Sequence, residues 1–196
     1  MSKRDEIESV EDNGVSLSMN PKKFILWLFI VSIVMIFVSL TSAYIVRQAE
    51  GNWKIFELPS IFLYSTFVLL LSSATVHWGY VNAKNDELQK LKIAIGASLF
   101  LGILFLWMQI EGWKELVSNK IFFSFSNPSE AFLYVLTGLH AFHLISGLIF
   151  IIIVLISAFK QNIHAKNLAQ YEMCATYWHF LDGLWLYLYI FLMINR

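Results

Sequence analysis

The chain is poor in the residues that most functional signatures need. It has one cysteine, Cys174, which excludes an internal disulfide framework and any cysteine-rich zinc or iron–sulfur site. It has three prolines, too few for the broken helices of many transporters. Only 14% of its 196 residues are charged, against about 25% in an ordinary soluble domain. The 14 basic and 14 acidic residues cancel, so the basic excess expected of a nucleic-acid partner is missing. No phosphate loop, dinucleotide glycine fingerprint or zinc-protease helix is found. What the chain has in plenty is apolar surface, 58% hydrophobic residues with a mean hydropathy of +0.62.

That surface is gathered into five runs, 24–46, 61–81, 93–109, 131–159 and 175–194. Asp182 is the one charged residue inside them, and the other 27 of the 28 lie outside. A bilayer core about 30 Å thick is crossed by about 20 residues at 1.5 Å each, and backbone in lipid must saturate its own hydrogen bonds. The alternation of barrel strands is absent. The expected fold is therefore all-α, a polytopic membrane protein of five transmembrane helices occupying 24–196. Residues 1–23 form a polar cytoplasmic tail carrying Lys3, Arg4, Lys22 and Lys23 with five carboxylates. This start does not read as a signal peptide, because its first apolar run is too long. Nine basic residues fall on the side of the N-terminus and five on the other, which puts the N-terminus in the cytoplasm and the C-terminus outside.

Small residues recur at helix-packing spacing, Ala94, Ser98 and Gly102 in the third run, Thr137 and Ala141 in the fourth. Trp27, Tyr44, Trp53, Tyr64, Trp78, Tyr80, Trp107 and Tyr134 fall near the expected boundaries and read as an aromatic belt.

Polar side chains at membrane depth carry more information, because each is expensive there. His140 and His143 stand three apart on the fourth run, and His179 and Asp182 three apart on the fifth, so each pair is expected on one face. His77 lies toward the cytoplasmic end of the second run. His179 is the expected partner of the Asp182 carboxylate, within one helical turn. Three readings remain open for the set. It can be a satisfied polar seam between helices. It can be a lipid-headgroup or proton-linked site near the cytoplasmic side, where Glu172, His179, Asp182 and His77 gather. It can ligate a metal or haem through histidines, although depth separates His140 from His77 and His179, and clustered carboxylates or cysteines are lacking.

The same segments resemble a known family. The stretch Thr137-Gly138-Leu139-His140-Ala141-Phe142-His143, continuing to Gly147, is similar to the Thr-Gly-x-His-x-x-His-x-x-x-Gly segment of subunit III of haem–copper oxidases. Tyr177-Trp178-His179-Phe180-Leu181-Asp182, followed by Trp185, resembles that family's last helix. Ser72-Ser73-Ala74-Thr75-Val76-His77 resembles its Ser/Thr–His stretch, and Gln109-Ile110-Glu111 is close to a Gln-x-x-Glu ending with altered spacing. The likeness runs over about residues 24–194, in the short five-helix bacterial form. One departure stands in the first helix, where Ser32-Ile33-Val34 puts Ile33 in place of the family's usual carboxylate.

The resemblance implies an accessory subunit of a proton-pumping terminal oxidase, most closely cytochrome c oxidase, in the bacterial inner membrane. It implies no catalytic residue, metal or cofactor of its own, haem and copper residing in partner subunits I and II. It implies packing against subunit I, bound phospholipid, a route for oxygen and support of proton uptake. Carried over by residue, Glu172, His179, Asp182, His77 and Lys160 are the lipid and polar-cleft candidates, and His140 and His143 form a structural polar seam. The alternatives are subunit III of a quinol oxidase, an accessory protein of nitric oxide reductase, a membrane b-type cytochrome using His143, or a small transporter.

Overall fold

The computed structural model describes residues 21–51, 53, 58–121, 123, 127–160 and 168–195. Among them are five helices long and apolar enough to cross a membrane: α1 (Pro21–Ala49), α2 (Ile61–Lys84), α3 (Leu88–Ser118), α4 (Pro128–Phe159) and α5 (Ala169–Ile194). Most of the tail, with Lys54, Lys166 and Arg196, lies outside the described residues. The expected boundary at residue 24 falls inside α1, which begins at Pro21 and takes Lys22 and Lys23 into its first turn. The other helices also outrun their apolar spans, most of all α3, which extends 93–109 to Leu88–Ser118. Charge-free runs report the thickness of hydrocarbon, whereas a helix continues until its end is capped.

Two of those caps can be read in detail. At the end of α2 Asp86 adopts a left-handed φ of 55°, Glu87 N–H donates to the Asn82 carbonyl at 3.0 Å and Asp86 N–H to that of Ala83 at 3.3 Å. At the end of α3 Lys120 has φ 60°, Ile121 N–H donates to Leu116 at 3.0 Å and Lys120 N–H to Val117 at 3.0 Å. Both are Schellman closures made without glycine. The first turns the chain within three residues, so α2 and α3 form a tight antiparallel hairpin, the most extensive helix pair in the fold.

Helices α2 to α5 close into a ring, α2 on α3, α3 on α4, α4 on α5 and α5 back on α2, while α1 packs on α4 and α5 alone among the described helices. Half of the apolar window of α5 is buried, against 22% of that of α1. The reason lies in the α5 sequence: Tyr171, Cys174, Trp178, Leu181, Trp185, Leu188 and Leu192 recur at three- and four-residue steps, and all are buried. Trp178 is the pivot. A Cβ on Gly102 of α3 would stand 2.8 Å from its ring and 2.7 Å from Leu148, and one on Gly147 of α4 would stand 3.2 Å from it and 2.9 Å from Leu181.

The expected small-residue row on α3 therefore packs inside the chain. Ala94 lies against Gly79 of α2, Ser98 bonds to α2, and Gly102 receives Trp178. The aromatic belt is partly corrected. Trp27, Tyr64, Trp78 and Trp107 do face outward. Tyr44 is fully buried, edge-on to Trp53, Phe132 and Phe191 at 4.6–5.7 Å. Its hydroxyl donates to the Asn195 carbonyl at 2.9 Å, which accounts for its place in the core.

Gly102→Val and Gly147→Val should each lower the stability of the chain by about 1–3 kcal/mol through overpacking. Gly138→Ala, where a Cβ meets nothing within 4 Å, should be neutral or gain up to about 1 kcal/mol. Denaturation of the purified variants in detergent measures both.

Candidate functional site: a polar column between α2 and α5

Helix α2 carries hydroxyls at Ser65, Thr66, Ser72, Ser73 and Thr75, and it meets α5 in antiparallel order. Trp185 Nε1–H donates to Thr66 at 3.0 Å, Trp178 Nε1–H to Ser72 at 3.1 Å, and Tyr171 O–H to the Val76 carbonyl at 2.7 Å. On the other flank of α2, Gln109 of α3 donates to Ser65 at 3.0 Å, and the Ser98 and Thr75 hydroxyls bond at 2.7 Å. A hydroxyl can bond its own helix and still receive a donor from a neighbour, so α2 supplies polar contacts without leaving bare backbone.

The titratable residues occupy the edge of this interface. Ser73 Oγ lies 2.6 Å from His179 Nδ1, and the His77 and His179 rings stand 6.5 Å apart. His77, Tyr80, Glu172, Thr176 and His179 line an open pocket of about 400 Å³. Lys23 of α1 forms an ion pair with Glu172 at 2.8 Å, and Lys84 Nζ sits 4.8 Å over the Tyr80 ring. The residues descend in order. At 1.5 Å per residue, Glu172 is in the first turn of α5, His179 about 15 Å and Asp182 about 20 Å from its start, with Ser73 about 16 Å from the end of α2.

Asp182 departs from its expected partnership. Its carboxyl is 4% exposed and neither oxygen meets hydrogen-bond geometry with a described residue. His179, one turn away, turns instead across the helix interface to Ser73, while Asp182 lies on the same α5 stripe between Trp178 and Trp185, both bonded to α2. A neighbour on the same helix is close in sequence, but both side chains lean toward α2, and the serine there takes the imidazole.

His140 and His143 also part. Three residues rotate a helix by about 300°, leaving neighbouring but not identical directions. His140 is fully buried with Trp185 at 5.0 Å and Phe105 edge-on at 6.0 Å, and neither ring nitrogen has a partner among the described residues. His143 points to α1, 5.8 Å from the Phe37 ring, and its Nδ1–H donates to the Leu139 carbonyl at 2.8 Å. Two aromatic residues crowd His140, so it has no open face toward a second histidine. Lys160 sits exposed just past α4 and is not among the residues lining the pocket. Ile33, where a carboxylate was expected by resemblance, is a buried apolar core residue.

Among the described residues no group of three or more His, Cys, Asp or Glu could hold a metal ion. Two larger grooves open beside α1, one of about 890 Å³ against α4 and one of about 640 Å³ against the start of α5 and Phe150 of α4. Their walls are mostly apolar, with the Arg47–Glu50 pair at the rim of the first and Lys22 at that of the second. From sequence, Ser73, Tyr80 and Lys23 stand only as part of a family-like stretch, of the aromatic belt and of the tail, not as site residues. The run of hydroxyls on α2 was the available signal for the first, while Lys23 was hidden by being counted with the tail.

Comparison with known proteins comes to the same segments. The family described as "Cytochrome c oxidase subunit III" matches residues 11–195. The chain is 30% identical over 168 residues to "Cytochrome c oxidase subunit 3" of Bacillus sp. (strain PS3), covering 83% of this chain and 80% of that protein. It is 31% identical over 175 residues to "Cytochrome bo(3) ubiquinol oxidase subunit 3" of Buchnera aphidicola subsp. Baizongia pistaciae, covering 84% and 87%. It is also 25% identical over 168 residues to "Cytochrome c oxidase subunit 3" of Bacillus subtilis (strain 168), covering 83% and 81%.

In a double-mutant cycle, Trp185→Phe and Thr66→Val should show a coupling of about 0.6 kcal/mol and no more than about 1.7. Unfolding free energies of the two single variants and the double variant give that number.

Proposed function

The chain belongs to the cytochrome c oxidase subunit III family, and from that premise we propose that it braces the catalytic subunit of a respiratory terminal oxidase in the bacterial inner membrane. As subunit III of a haem–copper oxidase it is an accessory, multi-pass membrane protein working in a complex with catalytic subunits. The observation that carries the reading is the extent of the family match, which spans all five helices.

In this reading haem and copper belong to subunits I and II, and cytochrome c is the electron donor. A quinol oxidase is the second reading, favoured by the name of the Buchnera relative. The donor is chosen outside this chain. The N-terminus lies in the cytoplasm, which puts the His77–Glu172 pocket on the cytoplasmic side. There a phospholipid phosphate would meet Lys23 and Lys84, with His77 and His179 as hydrogen-bond donors and the apolar flanks of α2 and α5 along its chains. Lipid in that position would give oxygen an apolar approach to the catalytic subunit, and the polar pocket would support proton uptake. His140 and His143 act as packing residues. With its nitrogens enclosed by Phe105 and Trp185, His140 is placed to fill the core rather than to ligate a haem.

Isolation of the tagged chain from its native membranes tests the proposal. A haem–copper catalytic subunit should accompany it, and the complex should oxidise reduced cytochrome c. Consistent isolation without such a subunit would refute the accessory role, and oxidation of quinol but not of cytochrome c would select the second reading. The chain produced alone should show no Soret absorption. A stoichiometric band there would favour a b-type cytochrome.

A further inference from the structure

The Asp182 carboxyl is buried at mid-helix with no ion pair or formed hydrogen bond among the described residues, yet it stands at the foot of a series of proton-carrying groups. We propose that Asp182 carries an exchangeable proton and that Ser73 and His179 connect it to the Glu172–His77 pocket, making a dead-ended proton branch inside this subunit.

The geometry supports each link. His179 is held at 2.6 Å by Ser73, and Asp182 stands one turn from His179 on the stripe between Trp178 and Trp185, both bonded to α2, so rotation about the serine Cα–Cβ bond can turn its hydroxyl from one group toward the other. The His179 ring also borders the pocket that opens beside Glu172. In the outward direction the O–H bond of Asp182 breaks as a new one forms on Ser73 Oγ. The proton that Ser73 held passes to Nδ1 of His179, and Nε2 releases its own proton into the pocket. Reversal restores the acid, so the branch exchanges protons without net transfer and needs no other reactant.

The groups that bear on the column are Glu172 and His179 on α5, His77 and Lys84 on α2, and Lys23 on α1. The two buried histidines of α4 are directed elsewhere, His140 to Phe105 and Trp185, His143 to Phe37. Beyond Asp182 the interface closes: the Trp185 indole is bonded to Thr66, and Phe62 and Leu188 are buried. The branch thus has one mouth. A one-mouthed branch stores a proton and cannot leak it across the membrane. Service to the catalytic subunit rests on the reading given above, whereas the exchange itself does not.

Infrared spectroscopy of the purified complex tests the exchange without turnover. The difference between wild type and Asp182→Asn should contain a carboxylic C=O band, and Asp182→Glu should shift it. On transfer to D2O the band should move to its deuterated position promptly in wild type and in Ser73→Thr. It should move about 100-fold more slowly in Ser73→Ala and His179→Leu, the loss expected when a positioned proton carrier is removed. If Asp182→Asn does not assemble, the Asp182→Glu shift makes the assignment. The absence of any band assignable to residue 182, or equal exchange rates in wild type, Ser73→Ala and His179→Leu, would overturn the proposal. Loss of the catalytic subunit on isolation would instead strike the accessory role.

Discussion

Two indole N–H groups of α5, at Trp178 and Trp185, end on hydroxyls of α2, and much of the architecture follows from that requirement. A tryptophan that is fully buried in a membrane helix bundle must find an acceptor for its one donor, because water is absent and lipid offers none. Serine and threonine provide it at small volume. Once Trp178 is seated against Ser72, its ring needs room on the far side, and Gly102 and Gly147 leave that room on α3 and α4. The position of one side chain thereby fixes the approach of three helices. Ser72 also donates to the Ser98 carbonyl of α3 at 3.4 Å, and the neighbouring hydroxyls Thr75 and Ser65 bond Ser98 and Gln109, so the α2–α3 hairpin and the α2–α5 contact share a polar spine.

The arrangement separates two kinds of polar residue. Those nearest the axis of the ring either close on hydroxyl and indole partners or, like His140, are enclosed by aromatic rings. Those on the outer edge of α2 and α5, His77, Glu172 and His179, open to a pocket where a charged ligand can be met. Asp182 belongs to neither group, since it is buried like the first and stands one helical turn from His179 of the second. Service to a neighbouring catalytic subunit would make use of the open edge and leave the closed spine to hold shape.

The five spans were legible from charge alone, since hydrocarbon tolerates almost no ionised side chain and Asp182 was the single exception. Helix ends were less so, because capping depends on backbone turns such as Asp86 and Lys120 that carry no glycine to announce them. Sequence spacing found the polar stripe on α5 but mispaired it. An i, i+3 relation placed His179 beside Asp182 correctly, yet the rival partner, Ser73, sat on a helix more than a hundred residues away in the chain. Tyr44 looked like a boundary residue by its position, and it became core because the Asn195 carbonyl, at the other end of the sequence, needed a donor. Contacts between distant helices are where one-dimensional patterns lose their grip.

Among the described helices α1 packs on α4 and α5, and four polar ties join it to α5 and the residue that follows: Lys23 to Glu172, Thr41 to Tyr187, and Tyr44 and Gln48 to Asn195. Each of those ties spans about 150 residues, and contacts so distant along the chain close late, because the loop between them must be ordered first. Until α5 is in place, α1 is held in the bilayer chiefly by its hydropathy, so the seating of α1 reports that α5 has arrived.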